Sequence, residues 1–344
     1  MQHWRQHLNA GQVIPACPLA LNEDGSWSER HQRALVRYYV DAGAGGLAVG
    51  VHSTQFAIRD PQHGLYQPLL KQVSEWLSES LPTGRPFIRI SGICGPTTQA
   101  IAEAEVSVEH GYHAGLLSLA ALRDATEEEL IRHCQSVSNI IPIIGFYLQP
   151  AVGGRLLSYT FWRRLAENER VVAIKIAPFN RYHTWDVIRA VIDSGRDDLA
   201  LYTGNDDNII VDLLTPFTSH GTTRLIAGGL LGQWAVWTRN AVNMLKDIQQ
   251  VRSTTTLSAE WLSKNMALTD ANAAVFDAAN GFAGCIPGIN EILRREGLMP
   301  SNRCLDPEEV LSPGQASELD RVIDAYPALT DHQFVRENLD RWLV

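Results

Sequence analysis

Short apolar runs rich in β-branched residues alternate with longer segments of helical period between about residues 12 and 255. We count eight candidate strands, each followed by a candidate helix. They are VIPACPLAL (13–21), GLAVGV (46–51), PFIRIS (86–91), AGLLSL (114–119), IPIIGFYL (141–148), VVAIKIA (171–177), LALYT (199–203) and RLIAGG (224–229). Helical segments begin with residues that can cap free backbone N–H groups, such as Thr126 and Asp206. Eight strands spaced by roughly 30 residues predict a (β/α)8 TIM barrel rather than a doubly wound open sheet.

The strand pattern stops near residue 255. Later segments, such as SAEWLSKNMALTDANAAVFDAAN and SPGQASELDRVIDAYPAL, have the pattern of helices separated by Gly and Pro. They contain too few strongly apolar stretches to indicate a core of their own. We therefore expect an α/β chain with a barrel over residues 1–255 and a C-terminal helical extension over residues 256–344, packed on the barrel or making subunit contacts.

The composition favours a protein that handles small molecules. The chain has 344 residues, 45% of them hydrophobic, and a formal net charge of -9. Its 29 basic residues are spread along the chain, whereas phosphate backbones are bound by clustered Lys and Arg, so we expect no nucleic-acid partner. The apolar runs are short, and MQHWRQHLNAGQ lacks the order of a signal peptide. We therefore expect no membrane partner and a cytoplasmic location.

Lys175 interrupts an otherwise apolar candidate strand, VVAIKIA. Side chains alternate between the faces of a strand, so Lys175 shares a face with Val171, Ala173 and Ala177. It lies near the C-terminal end of the strand, where (β/α)8 barrels build their active sites. An amine in apolar surroundings loses its proton more easily and can then attack a ketone to form a Schiff base. The alternative is a lysine that reaches solvent or pairs with a carboxylate.

Tyr147 lies near the C-terminal end of the preceding candidate strand, on the face of Ile143 and Gly145. Adjacent parallel strands are about 4.8 Å apart, so a phenol and an amine on the same face can approach one substrate atom. This spacing predicts Tyr147 as a proton-transfer group beside Lys175. The alternative is a buried tyrosine with a satisfied hydroxyl.

Three stretches together resemble the dihydrodipicolinate synthase and N-acetylneuraminate lyase family of Schiff-base-forming barrels. They are VIPACPLALNEDGSWSERHQRALVRYYVDAGAGGLAVG at the N-terminus, Tyr147 one strand before Lys175 in AIK, and LYTGNDDN after the next helix. The resemblance implies a (β/α)8 barrel with C-terminal helices that forms an imine with pyruvate or another 2-oxo acid. An aldehyde is the second substrate that such a reaction can use, and a homo-oligomer, dimer or tetramer, is the implied assembly.

The resemblance also implies roles for particular residues. Lys175 corresponds to the imine-forming lysine and Tyr147 to the tyrosine that relays protons. Arg155, in PAVGGR, corresponds to the arginine that binds the substrate carboxylate, with an ordinary surface arginine as the alternative. Further substrate contacts are expected at Gly204, Asn205 and Gly228.

Two stretches depart from the family pattern. Where the family has GTTGE after its second strand, this chain has GVHSTQF, which retains Gly50 and offers hydroxyls from Ser53 and Thr54. We expect these residues and His52 to contact the substrate, although His52 is equally well explained as an ordinary loop histidine. Where the synthases have PYY after the fourth strand, this chain has SLAALRD and no second tyrosine.

These observations predict a lyase or aldolase of the lysine Schiff-base type that acts on a 2-oxo acid. The alternatives are a sugar-acid dehydratase or hydratase-aldolase of the same family, or a catalytically silent barrel that binds a metabolite. Asp206 and Asp207 also suggest a metal site. Because Asp206 is a good candidate helix cap, and few other ligand residues follow the strands, we expect no metal and no organic cofactor.

Overall fold

Eight parallel strands form a barrel in the computed structural model, which describes residues 3–344. The barrel strands are β1 (Val13–Pro15), β2 (Gly46–Val49), β3 (Ile88–Ile93), β4 (Ala114–Leu117), β5 (Ile143–Leu148), β6 (Val171–Ala177), β7 (Ala200–Thr203) and β10 (Gly228–Leu231), and a hairpin of β8 (Phe217–Ser219) and β9 (Thr222–Arg224) precedes β10. Strands β2 to β7 pair in chain order, and β10 lies between β7 and β1. A parallel bridge between Ala16 and Ala48 joins the ends of the sheet. The predicted (β/α)8 TIM barrel is confirmed.

Helices that follow the barrel strands form the outer layer, and one further helix precedes the first strand. Those of the barrel are α1 (His3–Asn9), α2 (Glu29–Ala42), α3 (Tyr66–Ser80), α4 (Thr97–Glu109), α5 (Glu127–Ser138), α6 (Tyr159–Leu165), α7 (Arg181–Ser194), α8 (Ile209–Leu214) and α9 (Thr238–Val251). Local sequence explains several of their starts. Thr126 and Glu129 form a capping box at α5, and the Asn180 side chain accepts from two N–H groups at α7. Within residues 3–344, none of the helices has the length and apolar character needed to cross a membrane.

The strands are buried on both faces, which explains their nearly continuous apolar sequences. One set of side chains fills the barrel interior, including Ile14, Ile90, Leu116, Phe146 and Ala173. The other set packs outward against the helices, including Leu47, Val49, Tyr147, Ile174 and Ile176. The direction of a strand side chain therefore decides whether it reaches the interior or the helical layer.

The N-terminal end of the barrel is covered by α1. Leu8 is buried in the interior cluster, and its carbonyl accepts a hydrogen bond of 2.7 Å from the Tyr202 hydroxyl. The same hydroxyl accepts from the Gln12 N–H at 3.1 Å. The phenol thus both donates and accepts a hydrogen bond, and its role at this end of the barrel is structural.

Four further helices lie against the barrel beyond its last helix. They are α10 (Glu260–Val275), α11 (Cys285–Arg295), α12 (Gln315–Ala325) and α13 (His332–Trp342). Asp331 joins this region to α2 and α9, because its carboxylate accepts from the Tyr38 hydroxyl at 2.8 Å and from the Arg239 and Asn240 N–H groups at 2.6 and 3.0 Å. The boundary that we expect at residues 255 and 256 lies in the connection between α9 and α10.

Two strand predictions differ from the structure by more than two residues at one end. The first strand ends at Pro15 rather than residue 21. The last barrel strand is Gly228–Leu231, and Arg224 belongs to the hairpin instead. His220 and Gly221 both have positive φ, at 48° and 80°, which suits the tight turn of a two-residue hairpin. The apolar run before the glycines did not reveal this turn.

Candidate active site

Lys175 projects into the interior of the barrel near the C-terminal end of β6. Ala173 and Ala177, on the same face of the strand, belong to the interior cluster. Val171 packs in the outer cluster instead, because the β5–β6 register shifts by one residue at Ile143 and Ile144. Only 9% of Lys175 is exposed. The amine is thus held inside the barrel, whereas a surface lysine would extend into water.

The Lys175 side chain lines a cavity of about 80 Å³. The polar side chains around it are His52, Ser53, Gln149, Lys175 and Asp206. Four phenylalanine rings also line it, from Phe146, Phe179, Phe276 and Phe282. The C-terminal region contributes two of these rings, Phe276 and Phe282, together with Cys285 and Ile289. The cavity is therefore built jointly by the barrel strands and by residues beyond residue 256.

Burial in this apolar setting lowers the pKa of the Lys175 amine. The negative charge of Asp206 acts in the opposite direction but is a smaller effect. The Phe146 ring faces the ammonium, with Lys175 Nζ 4.5 Å from the ring centroid, and this contact also favours the charged form modestly. Because desolvation is the largest effect, the neutral and nucleophilic amine is more accessible than it is in a solvated lysine.

Gly204 makes room for the lysine. A Cβ atom at this position would lie 2.6 Å from Lys175 Cε and 2.8 Å from Ala177 Cβ. Both separations are far shorter than normal carbon contacts. The absence of a side chain at Gly204 therefore permits the observed course of the Lys175 chain.

Asp206 lies on the connection after β7 and lines the cavity beside Lys175. Its Oδ1 accepts from the Gln233 N–H at 3.3 Å, and its main-chain carbonyl accepts from Asn272 Nδ2 at 2.7 Å. Burial raises the pKa of the Asp206 carboxyl, while the nearby Lys175 charge lowers it by less. The expectation that Asp206 caps a helix is wrong, because α8 begins at Ile209 and its N-cap residue is Asn208.

His52 and Ser53 form the opposite wall of the cavity. They lie in a short 3-10 turn, His52–Thr54, after β2. Burial and the neighbouring Lys175 charge lower the pKa of His52 to about 4, so its ring is neutral at physiological pH. The Ser53 hydroxyl donates to the Ala16 carbonyl at 2.9 Å. This wall offers a neutral imidazole and a hydroxyl oxygen that can still accept a hydrogen bond.

Thr54 and Gly50 shape that turn but do not line the cavity. Thr54 Oγ1 donates to the Cys17 carbonyl at 2.7 Å and accepts from the Gly50 and Val51 N–H groups at 3.0 and 3.2 Å. Gly50 has a φ of 76°, a left-handed conformation that favours glycine. These two residues hold the backbone that presents His52 and Ser53.

Tyr147 does not share the interior with Lys175. The β5–β6 register pairs Phe146 with Lys175 and Tyr147 with Ile176, so Tyr147 points out to the helices. Its ring centroid lies 5.1 Å from that of Trp162, and its hydroxyl has only long contacts of 3.4 Å, to the Leu157 N–H and carbonyl. The predicted meeting of phenol and amine on one face is wrong, because the two residues occupy opposite faces of neighbouring strands.

Arg155 is likewise directed away from the cavity. Its Nη1 donates to the main-chain carbonyls of Leu122 and Ala125 at 2.7 and 2.9 Å. These two hydrogen bonds hold the connection after β4. Arg155 does not line the cavity, so the structure does not support the contact with a substrate carboxylate that we expected.

Asn205 and Gly228 also have structural positions. Asn205 is buried, accepts from the Phe179 N–H at 3.0 Å, and donates to Asp212 Oδ2 at 2.9 Å. It thereby ties together the connections that follow β6 and β7. Gly228 packs against the backbone of Gln12, where β10 meets the segment before β1. Among the predicted substrate contacts, Gly204, His52 and Ser53 line the cavity, whereas Gly50, Thr54, Arg155, Asn205 and Gly228 do not.

The sequence of the barrel matches a known family. The model of the dihydrodipicolinate synthetase family matches residues 9–228, which include Lys175, Asp206 and the first seven barrel strands. The chain belongs to the dihydrodipicolinate synthetase family. A curated relative, the 4-hydroxy-tetrahydrodipicolinate synthase of Bifidobacterium longum strain DJO10A, is 27% identical over 219 residues. The match covers 63% of this chain and 66% of that relative, just under two thirds of its length.

Solved structures of this family share the fold across most of the chain. Dihydrodipicolinate synthase from Aquifex aeolicus superposes with a TM-score of 0.74 at 17% identity and covers 93% of this chain and 99% of its own. N-acetylneuraminate lyase from Fusobacterium nucleatum gives 0.72 at 16% identity, over 92% and 99%. A prophage protein of the same family from E. coli K12, in complex with pyruvate, gives 0.73 at 17% identity, over 92% and 98%. At these identities the likeness establishes the fold alone.

Sequence reasoning about this family member missed most of the side chains that line the cavity, including all four phenylalanines and Cys285. Phe146, one residue before Tyr147, is the inward side chain of β5, and strand register is needed to recognise it. Phe276, Phe282 and Cys285 come from the C-terminal region, whose pattern of helices gives no sign of which face meets the barrel mouth. The structure of residues 3–344 contains no cluster of three or more His, Cys, Asp or Glu side chains suited to a metal ion.

Proposed function

We propose that this protein is a lyase or aldolase that forms a Schiff base between Lys175 and a small 2-oxo acid. The observation that carries the proposal is the placement of one buried amine in a cavity at the C-terminal end of the barrel strands. Burial lowers the pKa of that amine, and a Schiff base requires its neutral form.

The chemistry begins with attack by the neutral Lys175 amine on the C2 carbonyl carbon. A bond forms between Nζ and C2, the carbonyl oxygen becomes a hydroxyl, and loss of that hydroxyl as water leaves an iminium ion. The iminium withdraws electrons from C3, so a proton or a carbon substituent on C3 leaves without its bonding electrons. Hydrolysis of the imine finally restores the amine and releases the product.

Relatives give independent support for this reaction class. The chain belongs to a family that includes a curated 4-hydroxy-tetrahydrodipicolinate synthase and an N-acetylneuraminate lyase of known structure. The E. coli K12 prophage protein of the same fold was solved in complex with pyruvate. Pyruvate is therefore the first 2-oxo acid to test on this chain.

The cavity lining favours a small substrate with an apolar second part. Phe146, Phe179, Phe276 and Phe282 line the cavity, and these rings offer no hydrogen bonds to a chain of hydroxyl groups. A sugar-acid dehydratase would leave several substrate hydroxyls unpaired against them. Among the alternatives raised by the sequence, the aldolase or hydratase-aldolase type thus fits the lining better than a dehydratase of polyhydroxylated acids.

Reduction with borohydride in the presence of pyruvate tests the proposal. The expected result is a stable adduct, detected by mass spectrometry of the intact protein and mapped to Lys175 by peptide analysis. The chain has four lysines, and Lys71, Lys246 and Lys264 are exposed, so they serve as internal controls for nonspecific reduction. Thermal stabilisation by 2-oxo acids without any adduct would instead support the catalytically silent binding barrel.

A further inference from the structure

We infer that Asp206 is the residue that moves protons at C3 of the substrate bound to Lys175. This inference rests on the proposed Schiff-base function and adds a second catalytic group to it. It starts from a gap in the site: formation of an enamine needs a base for the C3 proton, and the tyrosine that was the first candidate points away from the amine.

No phenol takes that place in the cavity of residues 3–344. The β5 side chain level with Lys175 is Phe146, which cannot accept or donate a proton. On β7, the strand on the other side of β6, the register partner of Lys175 is Tyr202. Its hydroxyl is hydrogen-bonded to Leu8 and Gln12 at the N-terminal end of the barrel, away from the cavity. Proton transfer must therefore use another lining residue.

Asp206 is placed and held for that role. It lies two residues after Gly204, on the connection that follows the strand beside β6, and its carboxyl lines the same cavity as the amine. Gln233 N–H binds one of its oxygens, and Asn272 of α10 binds its main-chain carbonyl. The first contact holds the carboxyl and the second holds the backbone that carries it, while Oδ2 has no hydrogen-bond partner within residues 3–344 and can approach a substrate atom.

The remaining polar groups of the cavity are less suited to the step. The lowered pKa of His52 makes its neutral ring a weak base. The Cys285 thiol is held protonated because burial and Asp206 raise its pKa. The Ser53 hydroxyl already donates to the Ala16 carbonyl. Asp206 has an oxygen that can accept a proton. Because burial raises its pKa towards neutrality, its carboxylate is a stronger base than that of a solvated aspartate.

The proposed step balances without any added reactant. The Asp206 carboxylate takes a proton from C3 of the iminium, the C–H electrons form the C2=C3 bond, and the C2=N electrons return to the Lys175 nitrogen. The resulting enamine attacks the carbonyl carbon of the second substrate, whose oxygen takes the proton from the Asp206 carboxylic acid. In the cleavage direction the same atoms move in reverse.

Exchange of pyruvate methyl protons with D2O, followed by NMR, isolates this step from imine formation. We expect the wild-type protein to exchange them and Asp206→Asn to exchange them about 100-fold more slowly or worse, the usual contribution of a general base. The amide oxygen introduced by this substitution can still accept from the Gln233 N–H, so the fold should persist. Borohydride should still trap pyruvate on Lys175 in this variant, because the amine remains buried.

Asp207→Asn is the matched control. Asp207 is the adjacent acidic residue, is exposed and does not line the cavity, so its exchange rate should stay within about twofold of the wild type. Asp206→Glu, which keeps a carboxyl, should recover part of the lost rate.

The outcomes separate the two proposals. A wild-type protein that forms no adduct overturns both the Schiff-base function and the role of Asp206. An adduct together with equal exchange in Asp206→Asn and the wild type overturns only the role of Asp206. That role is also overturned if the trapped wild-type protein exchanges no methyl protons, or if His52→Gln abolishes exchange while Asp206→Asn retains it.

Discussion

Lys175 and Tyr202 are register partners on adjacent strands, and both side chains enter the barrel interior, but they serve its two ends differently. Tyr202 reaches the N-terminal end, where its hydroxyl donates to the Leu8 carbonyl and accepts from the Gln12 N–H. Lys175 reaches the C-terminal cavity, where burial lowers its pKa and raises that of Asp206. A neutral, fully paired phenol stabilises the fold. A desolvated amine destabilises it and gains reactivity in return.

The largest expected effect comes from replacing the amine with an apolar chain of similar length. Lys175→Met should abolish trapping and turnover, since no other amine lines the described cavity. It should also raise the free energy of unfolding at neutral pH by roughly 1–3 kcal/mol, because the desolvation that depresses the folded-state pKa is removed. Thermal unfolding of both proteins measures the second part.

The pH dependence of that stability difference has a definite sign. A lysine whose folded-state pKa is lowered destabilises the protein fully below that pKa, and the penalty disappears as the pH approaches the unfolded value of about 10.4. The advantage of Lys175→Met should therefore shrink as the pH rises from 7 to 10. An advantage that grows over this range would contradict the assignment.

Crowding the lysine should weaken the site without removing the amine. Gly204→Ala places a Cβ 2.6 Å from Lys175 Cε, so the side chain must shift, and we expect adduct formation to slow by about 10- to 100-fold with a stability loss of roughly 1–3 kcal/mol. Ala177→Gly in the same protein relieves the second close contact and should restore part of both losses. Trapping rates and thermal unfolding of the single and double variants measure this.

The rate of trapping should depend on pH in a way that reports the lysine environment. Because the pKa of Lys175 is lowered, adduct formation should reach half its maximum well below the value of about 10.4 for a solvated lysine. Asp206→Asn removes a negative charge that raises this pKa, so its midpoint should lie lower still. A midpoint that rises in the variant would show that the two groups do not interact as inferred.

At the opposite end of the barrel, Tyr202→Phe should affect stability alone. It removes the hydroxyl that accepts from the Gln12 N–H and leaves that buried donor unpaired, for a loss of about 1–3 kcal/mol, while the Leu8 carbonyl keeps its hydrogen bond of 3.1 Å from the Gly11 N–H. Exchange of pyruvate methyl protons should stay within about twofold of the wild type. A large loss of exchange in a folded Tyr202→Phe variant would contradict the assignment of a purely structural role to Tyr202.

The smallest effect is expected at Tyr147. Its hydroxyl contacts are long, at 3.4 Å, so Tyr147→Phe should change the free energy of unfolding by less than about 0.5 kcal/mol and leave methyl exchange unchanged. Loss of exchange in this variant would show that Tyr147 takes part in the reaction and that its side chain faces the barrel interior rather than the helices.

Sequence patterns predicted the barrel and the direction of Lys175 because both depend on local periodicity. The apolar neighbours of Lys175 on its own strand defined the interior face, and Ala173 and Ala177 do lie there. The same alternation could not place Tyr147 relative to Lys175, because the relation between two strands depends on their register. A shift of one residue puts the adjacent Phe146, rather than Tyr147, level with Lys175. The walls from Phe276, Phe282 and Cys285 depend on contacts between residues distant in the chain, which periodicity does not encode.

A crystal structure of the protein soaked with pyruvate tests the central claim most directly. We expect electron density continuous from Lys175 Nζ to C2 of the ligand, with C3 facing the Asp206 carboxyl and Tyr147 still packed on Trp162. Pyruvate bound without a link to Lys175, or an empty cavity with the ligand bound elsewhere, would contradict it.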